Sequence, residues 1–240
     1  MGSPNVAARL DALSARFSLP KRAVERLGTL LELVAVEPTS ITAVRDPAAG
    51  VDVHVADSLV ALELGVVRQA KRVADLGSGG GFPGLALAVA LPDARIALVE
   101  SVQRKCAFLE RAVAALGLTN VTVVNARAES WQAGLEGHDA VTARAVAPLA
   151  VLVEYAAPLL RSGGTLVAWK GRRDEAEEAD AAVAAGALGM SVPRARAVDP
   201  YPGADDRHLY LSSKVAPTPA GYPRRPGIAR KRPFTVSRRR

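Results

Sequence analysis

Residues 75–84 read DLGSGGGFPG, and this glycine-rich stretch decides the fold. It directly follows the short apolar run RVADL (72–76) and leads into the apolar, helix-like segment GLALAVAL (84–91). Glycine permits a sharp turn and a close approach of the backbone to a ligand, which a Cβ atom would obstruct. The order strand, glycine loop, helix therefore predicts a site for a nucleoside-containing ligand, contacted by Gly77 and Gly79.

Outward from this loop, short apolar runs alternate with helix-like segments. The runs are RVADL, ARIALVE, VTVVNA, DAVTARAV and GTLVAWK, in that order. Strands that alternate with helices predict βαβ units, and hence an α/β fold with a largely parallel twisted sheet flanked by helices. Such a sheet places its ligand site at the carboxyl ends of the strands. A final strand over residues 207–213 is expected at one edge of the sheet.

The clearest helix is expected from Val102 to Leu116, because it carries an apolar stripe at helical spacing. Ser101 is expected to cap its start and Gly117 to end it. The single cysteine of the chain, Cys106, lies on this stripe, so we interpret it as part of the core. One cysteine excludes an intramolecular disulfide and a cysteine zinc cluster. The sequence therefore favours the reducing cytoplasm, and no metal site is expected.

Three regions are predicted along the chain. Residues 1–66 form an N-terminal helical preface, with amphipathic helices over residues 4–36 and a further helix over 51–64. Residues 67–216 form the sheet domain, and residues 217–240 form a basic C-terminal arm. No apolar run approaches the roughly 20 residues that span a bilayer, and no secretory signal is visible, so no membrane contact is expected.

The formal charge of +7 is concentrated in the arm. Residues 217–240 contain eight basic and no acidic residues, whereas the rest of the chain holds 23 basic and 24 acidic ones. Five prolines in the arm predict an extended or disordered segment instead of a regular helix. One interpretation is a tail that maintains solubility; the other is an electrostatic arm for nucleic acid. On the second interpretation, removing the arm should weaken RNA binding and spare the cofactor.

Charge also distinguishes between the cofactors that the glycine loop can bind. Glu100 ends the next strand, 23 residues after Gly77, where a carboxylate can accept hydrogen bonds from two ribose hydroxyls. Asp75 lies two residues ahead of the first glycine, where it would repel the pyrophosphate of a dinucleotide. The same carboxylate is favourable beside the ammonium and sulfonium of S-adenosylmethionine. The sequence therefore favours S-adenosylmethionine over NAD.

Together with the glycine loop, further motifs resemble those of the RsmG (GidB) family of bacterial small-subunit ribosomal RNA methyltransferases. They are LVES followed by RKCAFL, then NARAES, TARAVAPL and RHLYLSSKVAPTPAGYPRR, and the resemblance spans about residues 40–232. It implies a Rossmann-like class I methyltransferase that uses S-adenosylmethionine to methylate N7 of one guanosine in 16S ribosomal RNA. The implied partner is the small ribosomal subunit or its precursor in the cytoplasm, and we expect a monomer.

The resemblance also implies cofactor-binding residues. They are Gly77 and Phe82 of the loop, Ala128 and Glu129 of NARAES, and Arg144 of TARAV. Ala128 and Glu129 follow the third strand, where a backbone amide and a carboxylate can recognise the adenine edge. Asp75, Gly79 and Glu100 are added to this set from the loop and charge arguments alone.

Ahead of the sheet, the family has an Asn-Leu-Thr turn followed by Arg, His, Asp and Ser. The matching residues here are Ser40, Ile41, Thr42, Arg45, His54, Asp57 and Ser58, so serine replaces the asparagine. RNA contacts are predicted for Arg45, His54, Lys170 and Arg207. For His54, a hydrogen-bonded position within a helix is as well supported as an RNA contact. For Lys170 and Arg207, a solvated face or a structural ion pair is as well supported as an RNA contact.

The implied chemistry requires no catalytic acid or base. Guanine N7 has an in-plane lone pair and no proton to remove, so methyl transfer requires alignment and desolvation. We therefore expect direct in-line transfer without a covalent intermediate. The chain fits this expectation, since TARAVAPL stands where amino-group methyltransferases have a (Asp/Asn)-Pro-Pro-aromatic motif.

Three other functions stay open from the residues. A ribosome- or RNA-binding factor without activity could retain the cofactor fold, and turnover of labelled methyl groups would separate it from an enzyme. A methyltransferase for a small molecule or a protein would leave the basic arm without a purpose. An NAD-linked oxidoreductase is disfavoured by Asp75.

Overall fold

A computed structural model of the protein describes residues 4–236, and its centre is a seven-stranded sheet. The strands are β1 (Arg72–Leu76), β2 (Arg95–Glu100), β3 (Val121–Asn125), β4 (His138–Arg144), β5 (Leu160–Lys170), β6 (Arg194–Ala197) and β7 (His208–Ser213). Their order across the sheet is β3-β2-β1-β4-β5-β7-β6. Strands β1 to β5 pair in parallel, and β7 pairs antiparallel to β5. The α/β fold with a largely parallel sheet is confirmed.

The sheet is covered on both faces because its central strands are apolar on both. Along β1, Val73 belongs to one buried cluster and its neighbour Ala74 to the other, as the alternation of side chains along a strand requires. Helices α6 (Gly84–Ala90) and α7 (Gln103–Ala115) pack in the first cluster. Helices α8 (Leu149–Ala156) and α9 (Glu175–Leu188) pack in the second.

Two local predictions are wrong. The last predicted strand, β7, does not lie at the edge, because β6 pairs antiparallel with it on its outer side. The residues of β6 read RARA, which lacks the apolar run that marks a strand. At α7, Val102 and not Ser101 occupies the N-cap position, and no side chain caps this end. Gly117 does follow the helix, with a left-handed φ of +59°.

The N-terminal preface consists of short helical pieces around two longer helices. It contains α1 (Pro4–Phe17), α2 (Ala23–Val36), α3 (Pro47–Gly50), a π-helical turn (Val51–Ala56), α4 (Asp57–Leu59), a 3-10 turn (Val60–Glu63) and α5 (Gly65–Arg68). Leu27 and Leu59 are fully buried in the same cluster as Ile96 of β2. The preface thus shares a core with one face of the sheet, and the predicted boundary at residue 66 falls within α5.

The basic arm differs from its prediction. It contains a short helix, α10 (Ile228–Lys231), and Ala229 is buried against α8 and α9. Instead of extending into solvent, the described part of the arm therefore lies against the sheet domain. The prolines preclude a long helix but not one turn after Gly227, whose φ of +82° starts it. Arg238, Arg239 and Arg240, three of the arm's basic residues, lie outside the described residues.

Between residues 4 and 236, no helix is both long enough and apolar enough to traverse a bilayer.

Candidate cofactor and substrate site

A cavity of about 310 Å³ lies at the carboxyl ends of the parallel strands. Its lining residues come from the ends of the first strands and the loops after them, from helices α7 and α8, and from the basic arm: Leu76, Gly77, Val99, Glu100, Ser101, Lys105, Ala126, Arg127, Ala128, Glu129, Ala145, Val146, Tyr155 and Arg230. The volume is within the range of small-molecule sites. Four predicted cofactor residues, Gly77, Glu100, Ala128 and Glu129, are therefore brought together here.

Gly77 forms the floor of this cavity in a conformation that suits glycine. Its φ is +66°, and its N–H donates to the carbonyl of Val99 at 2.8 Å, which joins the loop to β2. A Cβ atom at this position would lie 2.6 Å from Cγ2 of Val146. The loop after β4 therefore packs directly on the glycine, and any side chain here would push the two walls of the cavity apart.

Asp75 lies beneath the loop and does not face the cavity, which corrects the placement assumed by the charge argument. The carboxylate is fully buried, and it accepts hydrogen bonds from Oγ1 of Thr142 at 2.8 Å and from the N–H of Gly84 at 3.2 Å. Burial raises its pKa to about 6. Asp75 thus braces the start of α6 from inside the protein, because the strand directs its side chain into the core.

Glu100 connects the end of β2 with the glycine loop. Its side chain is 6% exposed; Oε1 accepts from the N–H of Val102 at 2.8 Å, and Oε2 accepts from the N–H of Gly79 at 3.1 Å. Each carboxylate oxygen has a second lone pair, so both can also accept from a ligand hydroxyl. Gly79 does not line the cavity itself; it holds the carboxylate that does.

Glu129 stands in the 3-10 turn Ala128–Ser130 after β3. Its side chain is buried, and Oε1 accepts from the N–H of Gly227 in the arm at 2.9 Å. The Tyr155 ring of α8 lies beside it, and burial together with the Glu129 carboxylate raises the pKa of the tyrosine hydroxyl. This hydroxyl is therefore a neutral donor next to the carboxylate at neutral pH.

Phe82 and Arg144 lie outside this cavity, between the sheet and the preface. The Arg144 guanidinium donates through Nη1 to Oδ2 of Asp57 at 2.8 Å and to the carbonyl of Val53 at 3.0 Å. The Phe82 ring stacks on His54 with centroids 4.7 Å apart, and the guanidinium of Arg144 lies 5.7 Å from the same ring. These predicted cofactor residues thus join the strand ends to the preface.

A second cavity, of about 240 Å³, opens on this side of the strand ends. It is lined by Asp57, Arg144, Ala145, Trp169, Lys170, Gly171, Val198, Arg207 and His208. Ala145, at a φ of +57°, lines both cavities, so the two are neighbours across one loop. The second cavity combines one carboxylate with several cationic side chains.

Lys170 and Arg207, both predicted to contact RNA, line the second cavity. The ammonium of Lys170 also pairs with Glu177 of α9. Nε of Arg207 lies 3.9 Å from Oδ1 of Asp57, and this buried nitrogen has no hydrogen-bond partner among residues 4–236. Arg207 therefore retains a donor for a ligand, whereas Lys170 is already in an ion pair.

His54 and Arg45 hold the loop between α2 and α3. Nε2 of His54 lies 2.9 Å from the carbonyl of Val44 and 3.2 Å from Oγ1 of Thr42. Burial lowers its pKa, so the ring is neutral and Nε2–H is the donor. The exposed Arg45 donates to the carbonyl of Thr39 at 3.3 Å. His54 is therefore the hydrogen-bonded helix histidine that the sequence offered as the alternative to an RNA contact. The side chain of Arg45 faces solvent.

Cys106 is buried in α7, in agreement with its interpretation as a core residue. Its Sγ–H donates to the carbonyl of Glu100 at 3.2 Å, and burial raises the pKa of the thiol. A neutral thiol inside the core is not a nucleophile.

The motifs did not predict several residues of the first cavity. Lys105 and Tyr155 come from helices, Val146 from the loop after β4, and Arg230 from the arm. Two quoted motifs carried a usable signal: RKCAFL contains Lys105, and TARAVAPL contains Val146. The approach of the arm depends on contacts between residues far apart in the chain.

Comparison with known proteins agrees with this geometry. The model of the GidB family, described as rRNA small subunit methyltransferase G, matches residues 24–199. The chain is 46% identical over 199 residues to the "Ribosomal RNA small subunit methyltransferase G" of Roseiflexus castenholzii, covering 81% of this chain and 84% of that one. It is 40% identical over 232 residues to the protein of the same name from Rubrobacter xylanophilus, covering 94% and 88%.

Solved structures support the fold. The S-adenosylmethionine-dependent methyltransferase SibL in its apo form has a TM-score of 0.57 at 16% identity, covering 88% of this chain and 74% of that one. A 16S rRNA (adenine(1408)-N(1))-methyltransferase from Catenulisporales acidiphilia has a TM-score of 0.50 at 19% identity, covering 64% and 90%. The sheet is thus the Rossmann-like sheet of class I methyltransferases.

Proposed function

The chain belongs to the GidB family of small-subunit ribosomal RNA methyltransferases, and on this premise we propose that it transfers a methyl group from S-adenosylmethionine to N7 of a guanosine in 16S ribosomal RNA. The observation that carries the proposal is the first cavity, where Gly77, Glu100, Ala128 and Glu129 converge at the strand ends. We further propose that the enzyme works as a monomer on the small subunit or its precursor in the cytoplasm.

The residues of the first cavity fit S-adenosylmethionine. Glu100, with a free lone pair on each oxygen, would accept from the ribose hydroxyls. Glu129 and the backbone of Ala128 would hold the adenine edge. Three cations line the same cavity, Lys105, Arg127 and Arg230, and a cation there suits the carboxylate of the methionine end.

Asp75 does not contact the cofactor cavity and affects it only through the glycine loop above it. Since its carboxylate is bonded to Thr142 and to the start of α6, its role in the proposal is to hold the glycine loop in shape. The choice of S-adenosylmethionine then rests on the family to which the chain belongs and not on the charge of Asp75.

The second cavity is the proposed site for the target base. It adjoins the first across Ala145, so a base there lies next to the cofactor cavity. The Asp57 carboxylate can accept from the donors on the Watson–Crick edge of guanine. Arg207, with its unpartnered Nε, can donate to O6 or to a phosphate. Arg144 fixes Asp57 in place.

The chemistry then requires alignment and little else. S-adenosylmethionine supplies an electrophilic methyl group on a sulfonium. In the transfer, the lone pair of N7 forms the new N–C bond as the C–S bond breaks, and the positive charge moves to the purine. No proton is removed, so the protein has to orient the base and exclude water. Ala145 and Trp169, which line the second cavity, serve this role.

RNA outside the target base would meet the exposed cations. Arg45 in the preface and Arg225, Lys231 and Arg232 in the arm are exposed. Such side chains contribute affinity without sequence preference, because they contact phosphates.

A methylation assay with purified small subunits tests the function. Labelled S-adenosylmethionine should transfer its methyl group to one guanosine of 16S ribosomal RNA, located by mass mapping, and the label should be lost on nuclease treatment.

Glu100→Ala should weaken cofactor binding about tenfold or more, while Glu110→Ala, which removes an exposed carboxylate from α7, should leave it unchanged. Cofactor binding without methyl transfer would indicate a non-catalytic RNA-binding factor. Label that survives nuclease would indicate a protein or small-molecule substrate.

A further inference from the structure

The basic arm is anchored on the sheet domain by a buried ion pair. Arg224 binds Glu154 of α8 through two hydrogen bonds, one of them from Nε to Oε1 at 2.6 Å. The Glu154 side chain is only 2% exposed. The guanidinium also lies beside the stacked rings of Tyr222 and Phe234, at 5.9 and 5.2 Å from their centroids. Two-point pairing at a buried carboxylate fixes both the position and the direction of the arm.

From this anchor the arm reaches the first cavity. Gly227 donates its N–H to Glu129 at 2.9 Å, and Nη2 of Arg230 donates to the carbonyl of Val146 at 2.7 Å. Arg230 itself lines the cavity. Val146 is the residue whose side chain packs on Gly77, so Arg230 holds the wall that faces the glycine loop.

We propose that the arm is a wall of the cofactor site, in which Arg230 positions Val146 and Gly227 orients the Glu129 carboxylate. This inference rests on the proposed function, because the ligand is S-adenosylmethionine. It replaces the expectation that removing the arm spares cofactor binding. The arm carries exposed cations on the same short segment, so one element serves both cofactor and RNA.

Two neighbouring residues of equal charge provide the test. S-adenosylmethionine affinity is measured by calorimetry for the full-length wild type, Arg230→Ala, Arg230→Lys and Lys231→Ala. Arg230→Ala should bind about tenfold more weakly, because it loses a charge-assisted hydrogen bond at the cavity wall. Arg230→Lys should recover part of the loss. Lys231→Ala should bind within twofold of the wild type, since its exposed side chain makes no hydrogen bond or ion pair with the residues between 4 and 236.

Hydrogen exchange on the wild type gives a second readout that needs no variant. S-adenosylmethionine should slow exchange at the amides of residues 224–231, including that of Gly227, and leave α9 unchanged. Unaltered affinity in Arg230→Ala, an equal loss in Lys231→Ala, or unchanged exchange in the arm would each overturn the inference. A wild type that binds no S-adenosylmethionine would refute the proposed function itself, which is a distinguishable result.

Discussion

The backbone N–H of Gly227 donates to Oε1 of Glu129 at 2.9 Å, although the two residues are 98 positions apart. This bond joins the basic arm to the turn after β3 that contributes Ala128 and Glu129 to the cavity. A buried carboxylate that accepts a backbone hydrogen bond is held in one orientation. The arm therefore determines how Glu129 presents its remaining lone pairs to a ligand.

The contact between Gly77 and Val146 predicts the effect of a single methyl group. Gly77→Ala should weaken S-adenosylmethionine binding about tenfold or more, because the new Cβ would lie 2.6 Å from Cγ2 of Val146. Gly117→Ala is the matched control: its φ of +59° resembles the +66° of Gly77, but nothing lies within 4 Å of its Cβ position. Both variants should lose about 1 kcal/mol of stability from backbone strain. Calorimetry should find normal affinity only in Gly117→Ala; equal losses would contradict the packing argument.

The buried Asp75 predicts a step in stability with pH. Burial raises its pKa from 3.8 to about 6 in the folded state, so the folded protein binds more protons than the unfolded chain between these values. Its contribution to the free energy of unfolding is therefore full below pH 3.8 and is lost as the pH rises through about 6.

Thermal unfolding measured from pH 4 to pH 8 should show this step in the wild type and not in Asp75→Asn. Asp93→Asn, which alters an exposed aspartate, should behave like the wild type. A step that persists in Asp75→Asn would assign it to another group.

Breaking the Arg224–Glu154 pair should release the arm. Arg224→Ala leaves a carboxylate that is 2% exposed without its cation, a loss on the order of 3 kcal/mol. Trypsin should then cleave the arm after Arg230 and Lys231 much faster than in the wild type. Arg225→Ala removes an exposed neighbour of the same charge, and cleavage after Lys231 should stay slow. Equal cleavage rates in the two variants would show that the pair does not anchor the arm.

A substitution at Asp57 should impair substrate binding and leave cofactor binding intact. Asp57→Asn should lower kcat/KM for methyl transfer about tenfold or more, because it removes the charge that holds Arg144 and Arg207 at the second cavity. The affinity for S-adenosylmethionine should change less than twofold. Asp52→Asn, which alters a half-exposed aspartate on the preface, is the control. A parallel loss of cofactor affinity would place Asp57 in the first cavity instead.

The exposed cations of the arm predict the salt dependence of RNA binding. Replacing Arg225, Lys231 and Arg232 together by alanine should reduce the slope of log affinity against log salt by about 2 to 3. Filter binding over a range of salt concentrations measures it. An unchanged slope would leave these residues as determinants of solubility alone.

The periodicity of the chain was sufficient for the central sheet. β1 has the predicted bounds, and its residues 73–76 are all buried, as expected for a strand covered on both faces. β6 escaped prediction because an edge strand needs no apolar run, and RARA is paired only through its backbone with β7. Ser101 is not the cap because α7 begins at Gln103, one residue later than its apolar stripe indicates, which puts Val102 at the N-cap position.

The residues of the candidate site also fall into two groups: those whose place the motifs predicted, and those whose orientation depends on distant contacts. Gly77, Glu100, Ala128 and Glu129 were placed by their motifs, because each directly follows a strand of a parallel sheet and such ends meet at one edge. Asp75 has the same origin, yet the direction of its side chain depends on Thr142 of β4, 67 residues away. Phe82 and Arg144 likewise turn to the preface because Asp57 and His54 are there to bind them.

Spacing along the chain was enough to predict six of the seven strands, the glycine loop and the polar groups that follow the strands. Only the tertiary structure decided that Asp75 faces the core, that two cavities adjoin at Ala145, and that the arm folds back onto Glu129 and Val146. The physical reason is that a charged side chain binds the partner that folding brings within reach. For Asp75, Gly227 and Arg230, that partner lies far along the chain.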